Sequence, residues 1–400
     1  MDVLTARRKC VLFLVASLGG VLFGGYACES MRPPPQNRFP PSPPRAATAS
    51  DFVKEALEAL QGGGIPPAPL SIQATRQERK DYLLAVERAS RALEGLLGVQ
   101  DDPLVLPSTL IPPQRAEEVL LLGRVLAVEL ADAIDGGDAS RASRVLMIAY
   151  RYADFNARGS VSSALCSEGI TEVLAQGLAS VRNQLDAEIA RQLVETIDRL
   201  LQEPYPIDDV ISHELERVKA WRKSLVDRQE TLTVDQLLGL LAPSAGRRRA
   251  PLERLTGELR DYLYRRTGQR NIIPPELMRE QTAMALQEAE RVYDGARKGK
   301  VVPVAWDRLA GEPLATLFLT PMRTWLEGAG KLPLLRKESL SYLRLYVKLL
   351  CQPLPETLDA FGKESINPLT GHPFYYRKTE SGFELLRVPS SSGAPQEPSR

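Results

Sequence analysis

From Ser50 to about Gln352 apolar residues recur at steps of three and four, in stretches separated by a few residues rich in Gly, Pro or Ser. That spacing marks amphipathic helices, because 3.6 residues per turn returns every third or fourth side chain to one face. Tyr82, Val86, Ala89, Leu93 and Leu97 form one stripe that ends near Gly98, and Ile189, Leu193, Ile197 and Leu200 form another, stopped by Pro204 and Pro206. Ser50 reads as the cap of a first helix that runs to Gln61 and stops at Gly62, Gly63 and Gly64. Further helices are expected over about 115–135, 138–157, 161–185, 252–266, 274–298, 312–327 and 335–350. Turns this short make consecutive helices antiparallel neighbours. The chain is therefore predicted to be mainly α, an irregular helical-hairpin bundle or superhelix. No signature recurs at a fixed period, which argues against a regular tetratricopeptide array.

Arg7, Arg8 and Lys9 precede an uncharged run, 11–27, rich in Leu, Val, Phe, Gly and Ala. These are the basic and apolar regions of an export signal. The run is short for a spanning helix, which needs about 20 residues, and this favours cleavage over anchoring. Gly25, Tyr26, Ala27 and Cys28 resemble the lipobox of bacterial lipoproteins, with Gly25 where Leu is usual and Tyr26 where a small residue is usual. The resemblance implies a lipid on Cys28; an uncleaved anchor and plain secretion are the other two fates. The linker that follows, 29–49, is dense in proline and favours a polyproline helix of about 3.1 Å per residue, a stiff spacer that lifts the body off a bilayer. A docking peptide for an aromatic groove has the same composition.

The segment 241–251 breaks the helical pattern with Pro, Gly and three arginines, so a helical domain over 50–243 and a second helical region over 244–366 are expected. At the end, Asn367, Pro368, Leu369, Thr370 and Gly371 are turn chemistry between helix and strand. Residues 373–377 and 383–388 read as two short strands, making a β-hairpin over 367–388, and the Ser, Gly and Pro of 389–400 read as a disordered tail. Phe374 and Tyr376 share one face, as do Phe383 and Leu385, and an isolated hairpin is marginal in water, so docking on the helices is expected. This ending resembles the Asp-Pro-x-x-Gly-x-Pro-x-x-Tyr-Arg close of uncharacterised helical envelope proteins of bacteria, and more loosely that of some pseudopilins. Asn367 stands where Asp is usual, and the pseudopilin N-terminus is missing. The resemblance implies an exported helical family without a known activity.

Candidates for chemistry are sparse. The 51 Lys and Arg nearly cancel the 50 Asp and Glu, so no overall field draws the chain to nucleic acid, and no nucleic-acid partner is expected. With His213 and His372 as the only histidines, a zinc site of several imidazoles cannot be built. His213 to Arg217 begins like the zinc-protease helix motif but has Arg217 at the second histidine position. Against a stripe of Ile211, Leu215, Val218 and Leu225, His213 falls about 160° away at about 100° per residue, which predicts exposure to solvent. No phosphate-cradling loop, dinucleotide fingerprint or nucleophile elbow is present, so no catalytic residue, metal or cofactor is assigned. Cys10 and Cys28 belong to the N-terminal segment; Cys166 and Cys351 read either as a disulfide or as two buried thiols. Tyr150, Tyr152, Asp154 and Phe155 read as packing.

The dense basic clusters are Arg247, Arg248 and Arg249, and Arg265 and Arg266 with Arg270. They read as contacts to an anionic surface, lipid headgroups or an acidic envelope protein, or simply as a solvated loop and helix end. Together these features lead to a membrane-tethered envelope scaffold or assembly subunit, its body in the periplasm or otherwise outside the cytoplasm, binding another envelope protein. The competing expectation is an envelope hydrolase of glycans or peptides acting through two carboxylates about 5–9.5 Å apart.

Overall fold

The computed structural model describes residues 48–60, 68–71, 74–99, 113–227, 231–241, 249–380 and 382–387. The export signal, Cys28, the spacer, Arg247, Arg248 and the tail from 388 lie outside the described residues.

Helices begin where a side chain satisfies the free N–H groups of a first turn. Thr48, rather than Ser50, caps α1 (Ala49–Leu60), its hydroxyl accepting from Asp51 N at 3.3 Å. α2 (Arg76–Ala85) opens on a reciprocal box between Thr75 and Glu78. The stripe from Tyr82 to Leu97 makes two helices instead of one. Val86, at φ −110° and ψ 12°, ends α2 and starts α3 (Glu87–Glu94), which tightens into a 3-10 turn at Gly95–Leu97.

α4 (Pro113–Asp135) turns through Gly137, at φ +73°, into α5 (Ala139–Gly159), capped by Asp138. The single extended residue Ser160 then caps α6 (Val161–Ser180), and Asp186 caps α7 (Ala187–Gln202). α6 packs closely on α4: a Cβ on Gly177 would stand 2.6 Å from the Ala127 carbonyl oxygen, so only glycine fits.

The second half holds α8 (Ile207–Val226), β1 (Leu232–Thr233), α9 (Val234–Leu241), α10 (Arg249–Thr267), β2 (Ile272–Ile273) and α11 (Pro275–Arg297). β1 and β2 pair antiparallel, Leu232 opposite Ile273, in strands too short for alternation to reveal. The expected helix over 312–327 is split by a 3-10 turn at Thr320–Met322, which contains Pro321, into α12 (Pro313–Leu319) and α13 (Arg323–Ala329). α14 (Leu332–Cys351) leads through a 3-10 segment, Leu358–Ser365, to β3 (Tyr375–Thr379) and β4 (Gly382–Leu386). The result is a mainly helical, irregular bundle with a small C-terminal hairpin. Among the described residues no helix is long and apolar enough to cross a membrane.

Three apolar clusters result. The first takes side chains from α1 to α7 together with Leu340, Leu343 and Val347 of α14. The second takes Ala157, Val161 and Ala164 from the α5–α6 turn, then α8 to α13 and Leu332. Trp221 stacks on Phe318 within it, ring centres 4.0 Å apart. Both flanks of the 241–251 break, α9 and α10, belong to this second cluster. The third is built from Leu345, Leu349, Leu358, Phe374 and Leu385.

α14 reaches all three clusters. Leu343 and Leu345 are two residues apart, about 200° around the helix, so its opposite faces are buried in different cores. The hairpin docks on the outer face. Tyr376 pairs with Leu385 across the strands, Phe374 meets Tyr342 edge-on at 6.0 Å, and the Tyr342 hydroxyl donates to the Leu385 carbonyl at 3.2 Å. Burying Phe374 and Leu385 contributes about 1.5–3 kcal/mol each, enough to hold two strands that would be marginal alone.

Candidate functional site

Where α5, α6 and α14 meet, the helix packing seals in a set of polar groups. Asp154 of α5 faces Arg336 of α14 in a forked pair, Nη1 to Oδ1 at 2.6 Å and Nη2 to Oδ2 at 2.9 Å, both side chains largely covered. Burial pushes the Asp154 carboxyl up from its ordinary range, against the pull of Arg336. Glu168 of α6 accepts a hydrogen bond from Ser339, which accepts in turn from Nη1 of Arg387 at 3.2 Å, just past β4. Burial pushes Glu168 up as well; the Ser339 bond and the charges of Arg387 and Arg336 act against it.

Phenols and cations complete the set. The Tyr150 hydroxyl shares a 3.0 Å hydrogen bond with Thr171, and burial pushes that phenol up to about 12. The Arg336 guanidinium lies 4.9 Å from the centre of the Tyr150 ring, and that of Arg387 lies 4.7 Å from the Tyr342 ring. Burial, with Glu168 and Asp154 adding to it, pushes the Tyr205 phenol up strongly, and its hydroxyl has no hydrogen-bond partner among the described residues.

A second sealed group sits in α8 beside His213. Glu214 is fully buried and accepts from Val161 N, the first amide of α6, at 3.2 Å, and from Arg217. A carboxylate at a helix N-terminus is favoured by the dipole. Arg217 lies over the Trp325 ring at 5.7 Å. His213 itself is half-buried, contrary to full exposure, with Nδ1 2.9 Å from the Asp209 carbonyl oxygen one turn back. His372 is exposed, and Cys351 carries a free thiol, pushed up to about 11 by burial. Among the described residues no group of three or more His, Cys, Asp or Glu side chains is placed to hold a metal ion.

The basic residues named from the sequence do not form one site. Arg249 opens α10, while Arg265 and Arg266 close it, about 24 Å away at about 1.5 Å per residue. At the closing end the arginines interleave with aromatics. Arg266 lies 5.6 Å from the Tyr262 ring and Arg270 lies 5.1 Å from that of Tyr264. Gly268, at φ +73°, turns the chain from α10 toward β2, and Tyr264 and Ile272 stand 53% and 40% exposed. The ion pairs there are loose, Arg266 to Glu280 at 3.9 Å and Arg270 to Asp261 at 3.8 Å. The alternation of Tyr262, Tyr264, Arg265 and Arg266 was a readable signal for this corner.

Comparison with protein-family models, with curated proteins and with solved structures finds no match to this chain.

Proposed function

We propose that the chain is a membrane-tethered helical scaffold or assembly subunit of a cell envelope, held by its N-terminal segment and offering the α10–β2 corner to another envelope protein. The observation that carries this reading is that corner. Exposed tyrosine and isoleucine beside weakly paired arginines are the composition of a protein-binding centre, where Tyr and Arg are enriched. The sealed carboxylates support it in another way: Asp154 bonds Arg336, Glu168 bonds Ser339 and Glu214 bonds Val161 N, each across a helix–helix contact, so they are engaged in joining helices. Two cavities, of about 420 Å³ and 280 Å³, are each lined by a single carboxylate, Glu195 and Asp135, where the hydrolase reading needs two.

The test is capture from membranes solubilised in several mild detergents, using the full chain and Tyr264→Ala/Arg270→Ala. A partner retained by the wild type and lost by the variant is the expected result. Recovery of the chain alone in every detergent would rule the scaffold out.

A further inference from the structure

The cavity of about 420 Å³ is a groove between α5 and α7. Ser140, Ser143 and Arg144 line it from α5, and Arg191, Thr196 and Arg199 from α7. The three guanidinium groups are not equivalent. Arg191 is saturated, holding Glu188 at 2.7 Å and Glu195 at 2.5 Å. Arg144 has Glu94 only at 3.7 Å. Arg199 donates one 3.3 Å bond to the Thr196 hydroxyl and forms no ion pair among the described residues. Two cations therefore face the groove with capacity to spare.

The hydroxyls point the same way. Ser143 Oγ is buried and has no hydrogen-bond partner among the described residues. Such a group keeps its desolvation cost until something in the groove bonds to it. Ser140 stands one helical turn away on the same α5 face. Two guanidinium groups and a pair of hydroxyls call for more acceptor oxygens than a carboxylate supplies, and a tetrahedral oxyanion has them. Met147 and Leu97 give the groove apolar wall, while Gln192 adds an amide, so there is room and chemistry for a small hydroxylated body beyond the anion.

We infer that this groove binds a phosphate monoester or diester of a small polyol or sugar, the anion on Arg144 and Arg199 with Ser143 as the buried donor. That chemistry is met either in a free phosphoester or in the headgroup of an anionic lipid.

The test is calorimetric titration of the purified chain with glycerol 3-phosphate, and flotation with vesicles of phosphatidylglycerol in phosphatidylcholine. Saturable single-site binding is expected, at least about tenfold weaker in Arg199→Ala and in Arg144→Ala, each a loss of about 1.4 kcal/mol or more. Ser143→Ala should weaken binding while leaving the melting temperature unchanged or raised, because it removes an orphaned hydroxyl. Arg254→Ala, at an exposed helix position elsewhere, should bind as wild type. Binding of glycerol 3-phosphate alone identifies a free phosphoester; vesicle binding that glycerol 3-phosphate competes away, and that Arg199→Ala abolishes, identifies a headgroup. Absence of both, or binding unchanged in Arg144→Ala/Arg199→Ala, overturns the assignment.

Discussion

The side-chain amide of Asn367 donates a 2.8 Å hydrogen bond to Oε1 of Glu338, and both residues are buried. The side-chain oxygen Oδ1 of Asn367 accepts from Leu369 N at 2.8 Å, which fixes the amide's orientation. An amide at 367 suits this contact, because a carboxylate there would face the Glu338 carboxylate.

Asn367→Asp should therefore cost about 1–3 kcal/mol near neutral pH. The paired acids of the variant would hold a proton more tightly folded than unfolded, so the loss should shrink as pH falls through the carboxylate range. Urea denaturation at neutral and mildly acidic pH measures both effects.

Breaking the fork between Asp154 and Arg336 is expected to be costlier. Arg336→Met leaves Asp154 buried without a counter-charge and should lose about 3–5 kcal/mol. Asp154→Asn/Arg336→Met should lose less than the two single changes added together, because it removes the stranded charge. Equilibrium denaturation of the four proteins closes the cycle.

Glu168 carries a pH dependence of the same sign in the native chain. Its folded carboxyl titrates above the usual range, so the folded chain binds more protons than the unfolded chain within that window. This group's contribution thus declines as pH rises through the window and remains a fixed cost above it. Glu168→Gln keeps an acceptor for Ser339 and removes the charge; its stability relative to wild type should climb as pH rises through and beyond the ordinary carboxylate range. Melting curves across that range would detect a flat difference, the outcome that denies the shift.

Gly177 and Gly257 make a matched pair. Gly177→Ala should destabilise by about 1–3 kcal/mol, because the new methyl meets the Ala127 carbonyl. Gly257→Ala, on α10 with open space around the Cβ position, should stabilise by about 0.5–1 kcal/mol through helix propensity. Thermal unfolding of both variants tests the contrast.

The long helices were legible because their stripes are local: Ile189, Leu193, Ile197 and Leu200 are all buried, whereas the one cap read from the sequence, Ser50, gives way to Thr48. The hairpin was legible for the same reason, its Phe374 and Leu385 both falling on the docked face. The Val86 break carries no Gly or Pro, so periodicity ran straight through it. The sealed polar groups were harder to see. Glu214 lies between Val210 and Val218 on the helical wheel, both of them buried, so its place on the covered face was legible there. The Asp154–Arg336 pair joins positions 182 residues apart, and no local pattern reports such a meeting.

α14 is also a timing device. The first core, begun by α1 near residue 49, takes Leu340, Leu343 and Val347 from a helix that emerges after every other helix of that core. Until then the groove for α14 stays open, with apolar side chains and Asp154 facing water. Contacts of such sequence separation are slow to form, because loop-closure entropy precedes any gain. A chain stopped short of residue 332 would leave that groove open, its apolar side chains exposed to aggregation.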